Sequence, residues 1–475
     1  MKIETYTTKY AGWLSDESRH QGQAEMICFP ESFEDVKAAL DYARAQGLKI
    51  KVQGARTGLM GAAVPQGGLI LDCSGINKLC LEGMNLYAEA GVSLEQIHRL
   101  LLKTPYCFKP EPSEKAALLG GMFGENATGL NGKPFAAFVK KLWWITGTGE
   151  ILEIVRGKYF FDSQGHCPLP NGACLTWPPE KTAGFSVPSP GEDLIDILSG
   201  QEGRLGMALA FELTLSQKPI CTWGVFYFMP TEQDAVDFAE QLLTSNSRAA
   251  LEVLEFYDNA SLRCLEANRK KLQELKEVSA FPEEAGAALY MEISGDAPEV
   301  LEPLLFEQLD LFEAAGGSED FTWAADEPLA VEKFQRIRHC LMTLANEHID
   351  EKRHTFPEMT RLSSDLKGPA KNFGDYLAMY RMQLKATGLE TLIFGSFLTN
   401  VLHVIAFPEN TEFLKTWTAS TERWAAQAVA DNGLVITENG LGQAKAALAN
   451  KLIPETIKAK YRALKAVFDP EGLFQ

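Results

Sequence analysis

The stretch Gln53-Gly54-Ala55-Arg56-Thr57-Gly58-Leu59-Met60-Gly61-Ala62-Ala63 decides how this chain is read. It lies between Lys49-Ile50-Lys51-Val52, which alternates like a half-buried strand, and Leu69-Ile70-Leu71, which reads as a buried one. Its glycines permit positive φ and let backbone N–H groups converge with no Cβ in the way, which is how a loop cradles a pyrophosphate. Arg56 and Thr57 add a charge and a hydroxyl. Taken alone, the loop matches neither G-x-G-x-x-G nor a P-loop, and a merely tight loop explains it equally well.

Upstream, Glu25-Met26-Ile27-Cys28-Phe29-Pro30 is a short apolar run closed by proline, and Ser32-Phe33-Glu34-Asp35 reads as a capped helix start. Val36, Ala39, Leu40 and Ala43 follow at helical spacing, so this helix has one buried face. Downstream, a second glycine-dense loop is expected over 118–132, between a helix at 94–102 and a strand at 142–145. Beyond residue 206 glycine thins out, and strand signals such as Thr222-Trp223-Gly224-Val225-Phe226-Tyr227-Phe228 and Leu289-Tyr290-Met291-Glu292-Ile293 alternate with charged amphipathic helices such as 232–243. This pattern predicts a second α+β domain, with helices dominating again from 411.

A length of 475 residues exceeds what one hydrophobic core usually serves, and 46% hydrophobic with 23% charged residues is a globular composition. The net charge of -18 repels phosphate backbones and anionic lipid, so a small-molecule substrate is expected and a nucleic-acid partner is not. No apolar run approaches the ~20 residues of a membrane span, and Met1-Lys2-Ile3-Glu4 lacks the apolar core of a signal peptide, which leads to the expectation of a cytoplasmic protein. None of the nine cysteines forms a C-x-x-C pair, which argues against a disulfide framework, an iron–sulfur site or structural zinc.

Further ordered motifs change the reading of the first loop. They are Glu111-Pro112-Ser113, Gly120-Gly121-Met122-Phe123-Gly124-Glu125-Asn126-Ala127-Thr128-Gly129, Lys181-Thr182-Ala183-Gly184, Gly200-Gln201-Glu202-Gly203-Arg204-Leu205-Gly206 and the closing Phe468-Asp469-Pro470-Glu471-Gly472-Leu473-Phe474. From about residue 25 onward the chain resembles the vanillyl-alcohol-oxidase flavoproteins, whose FAD-binding domain is of PCMH type. The resemblance implies an α+β fold: a two-subdomain FAD-binding domain at 1–216, an α+β cap (substrate) domain with an antiparallel sheet at 217–410, and a C-terminal helical segment at 411–475 that returns to the first domain. It implies that FAD is wrapped by Gln53, Gly54, Ala55, Arg56, Thr57, Gly58 and Gly61, by Pro112 and Ser113, by Gly120, Gly121, Gly124, Asn126, Ala127 and Gly129, and by Glu202, Gly203 and Gly206. The first loop holds no histidine or cysteine to tether the flavin, so FAD is expected to be non-covalent.

Within that superfamily the middle region looks like the cap of the D-lactate, glycolate and D-2-hydroxyglutarate dehydrogenases. The motifs carrying this are Ala250-Leu251-Glu252-Val253-Leu254-Glu255-Phe256-Tyr257-Asp258, Phe334-Gln335-Arg336-Ile337-Arg338 and Asp365-Leu366-Lys367-Gly368-Pro369. The resemblance assigns Arg338 to the substrate carboxylate; a surface salt bridge is the alternative. Relatives carry G-H-x-G-D-G-N-x-H and E-H-G-x-G, whose histidines and glutamate hold a divalent metal. This chain reads Gly395-Ser396-Phe397-Leu398-Thr399-Asn400-Val401-Leu402-His403-Val404-Ile405 and Glu438-Asn439-Gly440-Leu441-Gly442.

Ser396 and Asn439 thus stand for two of the histidines and Ile405 for an asparagine, while His403 and Glu438 survive. Two ligands hold a catalytic cation poorly, so no metal is expected. Asn439 accepts no proton near neutral pH, which leaves His403 either as the base or as a hydrogen-bonded leftover. The implied function is a metal-independent, FAD-dependent oxidoreductase that oxidises a 2-hydroxy acid or related hydroxylated substrate by hydride transfer to flavin N5. Electrons would pass to a partner protein (iron–sulfur or electron-transfer flavoprotein), a quinone or oxygen. The competing class is a non-catalytic or electron-relay FAD subunit of a glycolate or lactate oxidase-like complex.

Overall fold

The computed structural model describes residues 2–110, 112–176, 191–368, 373–431 and 433–475. The motif residues Glu111, Lys181, Thr182, Ala183, Gly184 and Pro369 lie outside them. The chain divides into two compact units, one of Met1–Gly129, Lys133–Gln217 and Ile436–Gln475, the other of Leu130–Gly132 and Lys218–Val435.

The first unit holds two main sheets. Strands β1 (Ile3–Thr5), β2 (Met26–Cys28), β3 (Ile50–Gln53) and β4 (Leu69–Asp72) pair in the order β1-β2-β4-β3, with β2 and β3 parallel to β4. The helix Phe33–Gln46 makes the crossover from β2 to β3 and begins where the sequence predicts, since the Ser32 side chain accepts from the Asp35 N–H at 3.1 Å. Val36, Ala39, Leu40 and Ala43 form its buried face, and Gly47 ends it at φ 66°. A second, antiparallel sheet follows, with β5 (Leu79–Glu82), β6 (Asn85–Glu89), β7 (Val139–Ile145), β8 (Ile151–Val155) and β9 (Met207–Thr214) in the order β5-β6-β9-β7-β8.

One expectation needs correction. The stretch expected as a loop over 118–132 contains a helix, Leu119–Glu125. Three glycines disfavour it locally, yet Leu119, Met122 and Phe123 sit at i, i+3 and i+4 and are buried, so burial of that face overrides propensity.

The second unit is built on a seven-stranded antiparallel sheet. Its strands are β10 (Cys221–Met229), β11 (Leu251–Asp258), β12 (Ala287–Gly295), β13 (Thr322–Ala325), β14 (Leu362–Ser364), β15 (Thr391–Ser396) and β16 (Val401–Ala406), in the order β13-β10-β12-β11-β15-β16-β14. The helix Pro328–Arg353 lays Phe334, Ile337 and Leu341 against Phe226, Tyr257, Tyr290, Phe394 and Ile405 on one face of this sheet. The helix Thr411–Ala430, grouped by the sequence reading with the closing segment, packs in this unit, because Trp424 is fully buried against Tyr380 with ring centroids 4.8 Å apart.

The closing segment covers an edge of the first sheet: the Ile50 N–H donates to Leu473 O at 2.8 Å and the Gln475 N–H to Ile50 O at 2.9 Å. Asp469, 1% exposed, fixes this tail by accepting from the Leu473 and Phe474 N–H groups at 2.8 and 2.9 Å and pairing with Lys465 at 2.7 Å. Removing the carboxylate leaves two backbone donors unsatisfied in a buried place. Asp469→Ala is therefore expected to lower the unfolding free energy by about 2–4 kcal/mol, read as a reduced denaturant midpoint.

Candidate functional site

The first unit contains an open cavity lined largely by small residues of both its sheets, with about 630 Å³ of empty space that includes its opening to solvent. Gly54, Ala62 and Ala63 come from the loop after β3; Gly120, Gly121, Phe123, Gly124 and Glu125 from the Leu119–Glu125 helix; Glu202, Gly203 and Gly206 from the segment before β9. A Cβ built on Gly121 would meet no atom within 4 Å, and one on Gly54 or Gly124 would come no closer than 3.6 Å to any. Glycine is thus not needed there for packing within the chain, and what it preserves is free space at the cavity wall.

Backbone conformation marks the same three segments. Among the described residues the non-glycine positions with positive φ are Arg19, Arg56, Asn126, Glu202 and Asn400. Arg56 (61°), Asn126 (51°) and Glu202 (52°, followed by Gly203 at 76°) each lie in a segment the sequence singled out. The N–H groups of Asn126, Ala127 and Glu202 donate to the carbonyls of Phe123, Met122 and Gly124, so these turns fix the shape of the wall, and a wall free of Cβ atoms suits a pyrophosphate-bearing dinucleotide.

The predicted cofactor residues fall into two groups. Gly54, Gly120, Gly121, Gly124, Glu202, Gly203 and Gly206 line the cavity. Gln53, Ala55, Arg56, Thr57, Gly58, Gly61, Pro112, Ser113, Asn126, Ala127 and Gly129 are not among its lining residues, and several of them shape the wall from behind. The Gln53 side chain donates to Trp13 O at 2.8 Å and Ala63 O at 2.7 Å. The Arg56 guanidinium pairs with Asp72 at 3.2 Å and lies 4.7 Å from the Trp13 ring, so its charge is already engaged. Gly61, at φ 80°, packs below Gln443, Ser18 and His20, and Asn126 accepts from the Ala136 N–H at 3.3 Å. Val52, Cys73, Ala90, Trp144, Leu198, Met207 and Ala208 also line the cavity without having been predicted. They are strand, turn and helix-end residues whose only sequence signal was small or apolar character.

The Glu202 carboxylate has a second task. It accepts from the N–H groups of Leu441 and Gly442, so the segment carrying Glu438 and Asn439 is tied to the third glycine segment. Glu438 and Asn439 occupy the two central positions of a tight turn closed by the Gly440 N–H donating to Thr437 O at 3.1 Å. On β3, burial brings the Lys51 ammonium down to about 8, opposed chiefly by the charge of Glu202.

In the second unit the sequence-predicted pair meets. Arg338, from the Pro328–Arg353 helix, and His403, from β16, are 8% and 4% exposed, and Arg338 Nη2 lies 2.9 Å from His403 Nε2. The buried position removes the surface salt bridge as a reading of Arg338. Glu255, on β11 and fully buried, pairs with Arg338 Nε at 3.4 Å, and the Phe394 ring stacks on the imidazole at 5.3 Å. The sequence reading missed the role of Glu255, whose signal was an acid inside an apolar strand. Burial first, and then the nearby Glu255 carboxylate, hold the Tyr257 phenol well above its usual range, so it stays protonated.

A guanidinium only donates, so His403 Nε2 accepts and the neutral ring carries its proton on Nδ1. Ser396 lies next to this row with its hydroxyl accepting from the Leu398 N–H at 3.2 Å, and Ile405 is packed into the apolar cluster. Among the described residues, no three His, Cys, Asp or Glu side chains gather in a way that could hold a metal ion, and no helix is long and apolar enough to cross a membrane.

Known proteins resemble this chain over nearly its whole length. The D-lactate dehydrogenase of Anaerostipes hadrus is 24% identical over 96% of this chain and 90% of its own length. The glycolate oxidase subunit GlcD of Bacillus subtilis is 22% identical over 96% of this chain and 88% of its own. The solved alkyldihydroxyacetonephosphate synthase, at 14% identity, superposes with a TM-score of 0.66 over 99% of this chain and 81% of its own, which shows a shared fold. Residues 24–154 match the family model of an FAD binding domain, and residues 224–475 that of the FAD linked oxidases, C-terminal domain. With the second match alone running over more than half of the chain, the protein belongs to the FAD-linked oxidases and is an FAD-dependent oxidoreductase.

Proposed function

We propose that this protein oxidises a small 2-hydroxy acid to the 2-oxo acid, with FAD held non-covalently in the cavity of the first unit and no metal ion in the reaction. The observation that carries the reading is the buried 2.9 Å contact between Arg338 Nη2 and His403 Nε2. It puts a carboxylate binder and a proton acceptor side by side in an apolar surround. When bound, FAD supplies the acceptor for the two electrons and the hydride that leave the substrate carbon.

The side chains supply the rest. Arg338 takes the substrate carboxylate, which a planar guanidinium can grip through two parallel N–H bonds. That capture draws Nη2 off His403 and exposes the Nε2 lone pair, which accepts the hydroxyl proton as the C–H bond breaks. Substrate binding and release of the base are one event in this scheme. Metal independence follows from donor chemistry: Ser396 is engaged with backbone, and Ile405 has no donor at all. The relatives named as a dehydrogenase and as an oxidase subunit support delivery of the electrons onward to a partner protein or a quinone.

Three measurements test this reading. Under anaerobic conditions D-lactate, glycolate or D-2-hydroxyglutarate should bleach the flavin absorbance, and failure of all of them with ready reduction by a partner protein would favour a relay subunit. Exhaustive treatment with a chelator should leave the rate within about twofold; a loss restored by zinc or manganese would reinstate the metal. Arg338→Lys keeps the charge but loses the fork, so KM for the acid should rise and kcat/KM fall by about 10²-fold, and His403→Asn should lower kcat by about 10²–10⁴-fold.

The cavity assignment has its own check in Gly121→Ala. Within a helix and with open space at its Cβ, alanine should leave stability unchanged or raise it by up to about 1 kcal/mol. The methyl should nevertheless weaken FAD binding at least tenfold, since it enters the space the dinucleotide needs. Unchanged flavin affinity would move the cofactor elsewhere.

A further inference from the structure

We infer that Asp365 is the positioning residue of His403: its carboxylate accepts the Nδ1–H of the imidazole and keeps Nε2 as the nitrogen with the lone pair. Strand register brings the two together. β14 and β16 pair Ser364 with Val404, and past the end of β14 Lys367 bridges Val401 in the same register, so no residue is inserted between and Asp365 stands opposite His403. The Leu402 N–H, donating to Leu366 O at 3.4 Å, joins the two segments at the next position. Residues opposed across antiparallel strands send their side chains to one face, with Cβ atoms about 5 Å apart.

The two faces are marked by their contacts. His403 points to the face covered by the helix Pro328–Arg353, where it meets Arg338, and Ile405, two residues on, shares a cluster with Phe334 and Ile337. Ser364 points the other way, with its hydroxyl 3.3 Å from that of Tyr380 on the helix Phe373–Thr387. Asp365, next along the extended chain, returns to the His403 side. It is 0% exposed, so its carboxylate is held by donors of the protein. The imidazole is thus bounded by Phe394, its partner on β15, which stacks on the ring at 5.3 Å, by Arg338 at Nε2, and by Asp365 on the β14 side. Glu255 is engaged with Arg338 Nε and opposes Ser396 on β15, one strand further away.

While Arg338 holds Nε2, a guanidinium that only donates fixes the tautomer by itself. Once a substrate carboxylate has drawn Nη2 away that restraint is lost, and Asp365 holds the proton on Nδ1. The substrate O–H bond then breaks with its proton bonding to Nε2, and its electron pair forms the carbonyl as the hydride leaves carbon for FAD. The Nδ1–H bond stays intact, and Asp365 takes up no proton.

The inference rests on His403 acting as the base, and the experiment separates the two claims. In full-length FAD-loaded protein with ¹⁵N-labelled histidine, a downfield ring N–H resonance is expected, assigned to His403 by its loss in His403→Asn. Asp365→Asn should abolish the downfield position. In turnover it should lower kcat by about 10²–10⁴-fold with KM within about twofold, and should cost little more when added to His403→Asn. Asp365→Glu, which keeps the carboxylate, should recover part of the loss. A merely structural role would leave the His403 resonance in place and would add to the His403→Asn defect. A His403 resonance unmoved in folded Asp365→Asn protein therefore overturns the inference, as does a kcat within about threefold of wild type. Should Asp365→Asn fail to fold, the wild-type protein decides. With ¹⁵N histidine and ¹³C-labelled aspartate carboxyls, a dipolar coupling that His403→Asn removes is expected, and its absence overturns the pairing. If no 2-hydroxy acid reduces the flavin, the proposed reaction falls, and the resonance and the coupling still decide whether Asp365 holds His403.

Discussion

Backbone that approaches the cavity without a Cβ is the constraint on which the flavin-binding unit depends. Interiors pack densely, and a wall of ordinary side chains would close on itself. Holding the wall open needs residues in unfavourable conformations, each costing on the order of 1 kcal/mol or more for a non-glycine at positive φ. The surrounding structure therefore has to fix them. Arg56 is held by Asp72 and Trp13, Asn126 by the Ala136 N–H, and Glu202 by the Leu441 and Gly442 N–H groups. These contacts join pieces far apart in the chain, which is why the unit includes the last forty residues as well as the first half.

This arrangement also explains how a chain of net charge -18 can accept an anionic cofactor. The cavity wall carries two acids, Glu125 and Glu202, and the one arginine in the first glycine loop is paired with Asp72. Side-chain cations are thus not the source of attraction at the first loop. A wall without Cβ atoms would let backbone N–H groups meet the pyrophosphate instead, since their partial charges are fixed in direction and need no counter-ion. The carboxylate of Glu202 meanwhile spends its charge on the N–H groups of another segment, which keeps it from facing the ligand unpaired.

Much of this was legible in the sequence, for reasons that differ by element. The crossover helix Phe33–Gln46 was legible to its cap, because Ser32, the acids behind it and the 3.6-residue spacing all agree. The strands around the first glycine loop were legible for the same reason. The Leu119–Glu125 helix was not, because three glycines gave a local signal opposite to the tertiary one. Arg338 and His403 were each singled out by the resemblance alone, and their pairing was not, since 65 positions separate them and no spacing rule joins a helix to a strand that far away. Glu255 was beyond reach for a simpler reason: it matters through its contact with Arg338, and a carboxylate within an apolar strand does not announce its partner. The expected boundary at 411 failed to anticipate that Trp417 and Trp424 commit their helix to the second unit.

Glu255 sets the terms on which Arg338 works. A guanidinium this buried would be costly without an opposite charge, and the carboxylate at 3.4 Å offsets that cost. Under the proposed role of Arg338 the same pairing would limit substrate affinity, because an incoming carboxylate adds a second negative charge beside a guanidinium already balanced by Glu255. Binding is then favourable only to the extent that the guanidinium can serve both anions, Nε toward Glu255 and the Nη edge toward the substrate, and the Nη edge is the part now occupied by His403.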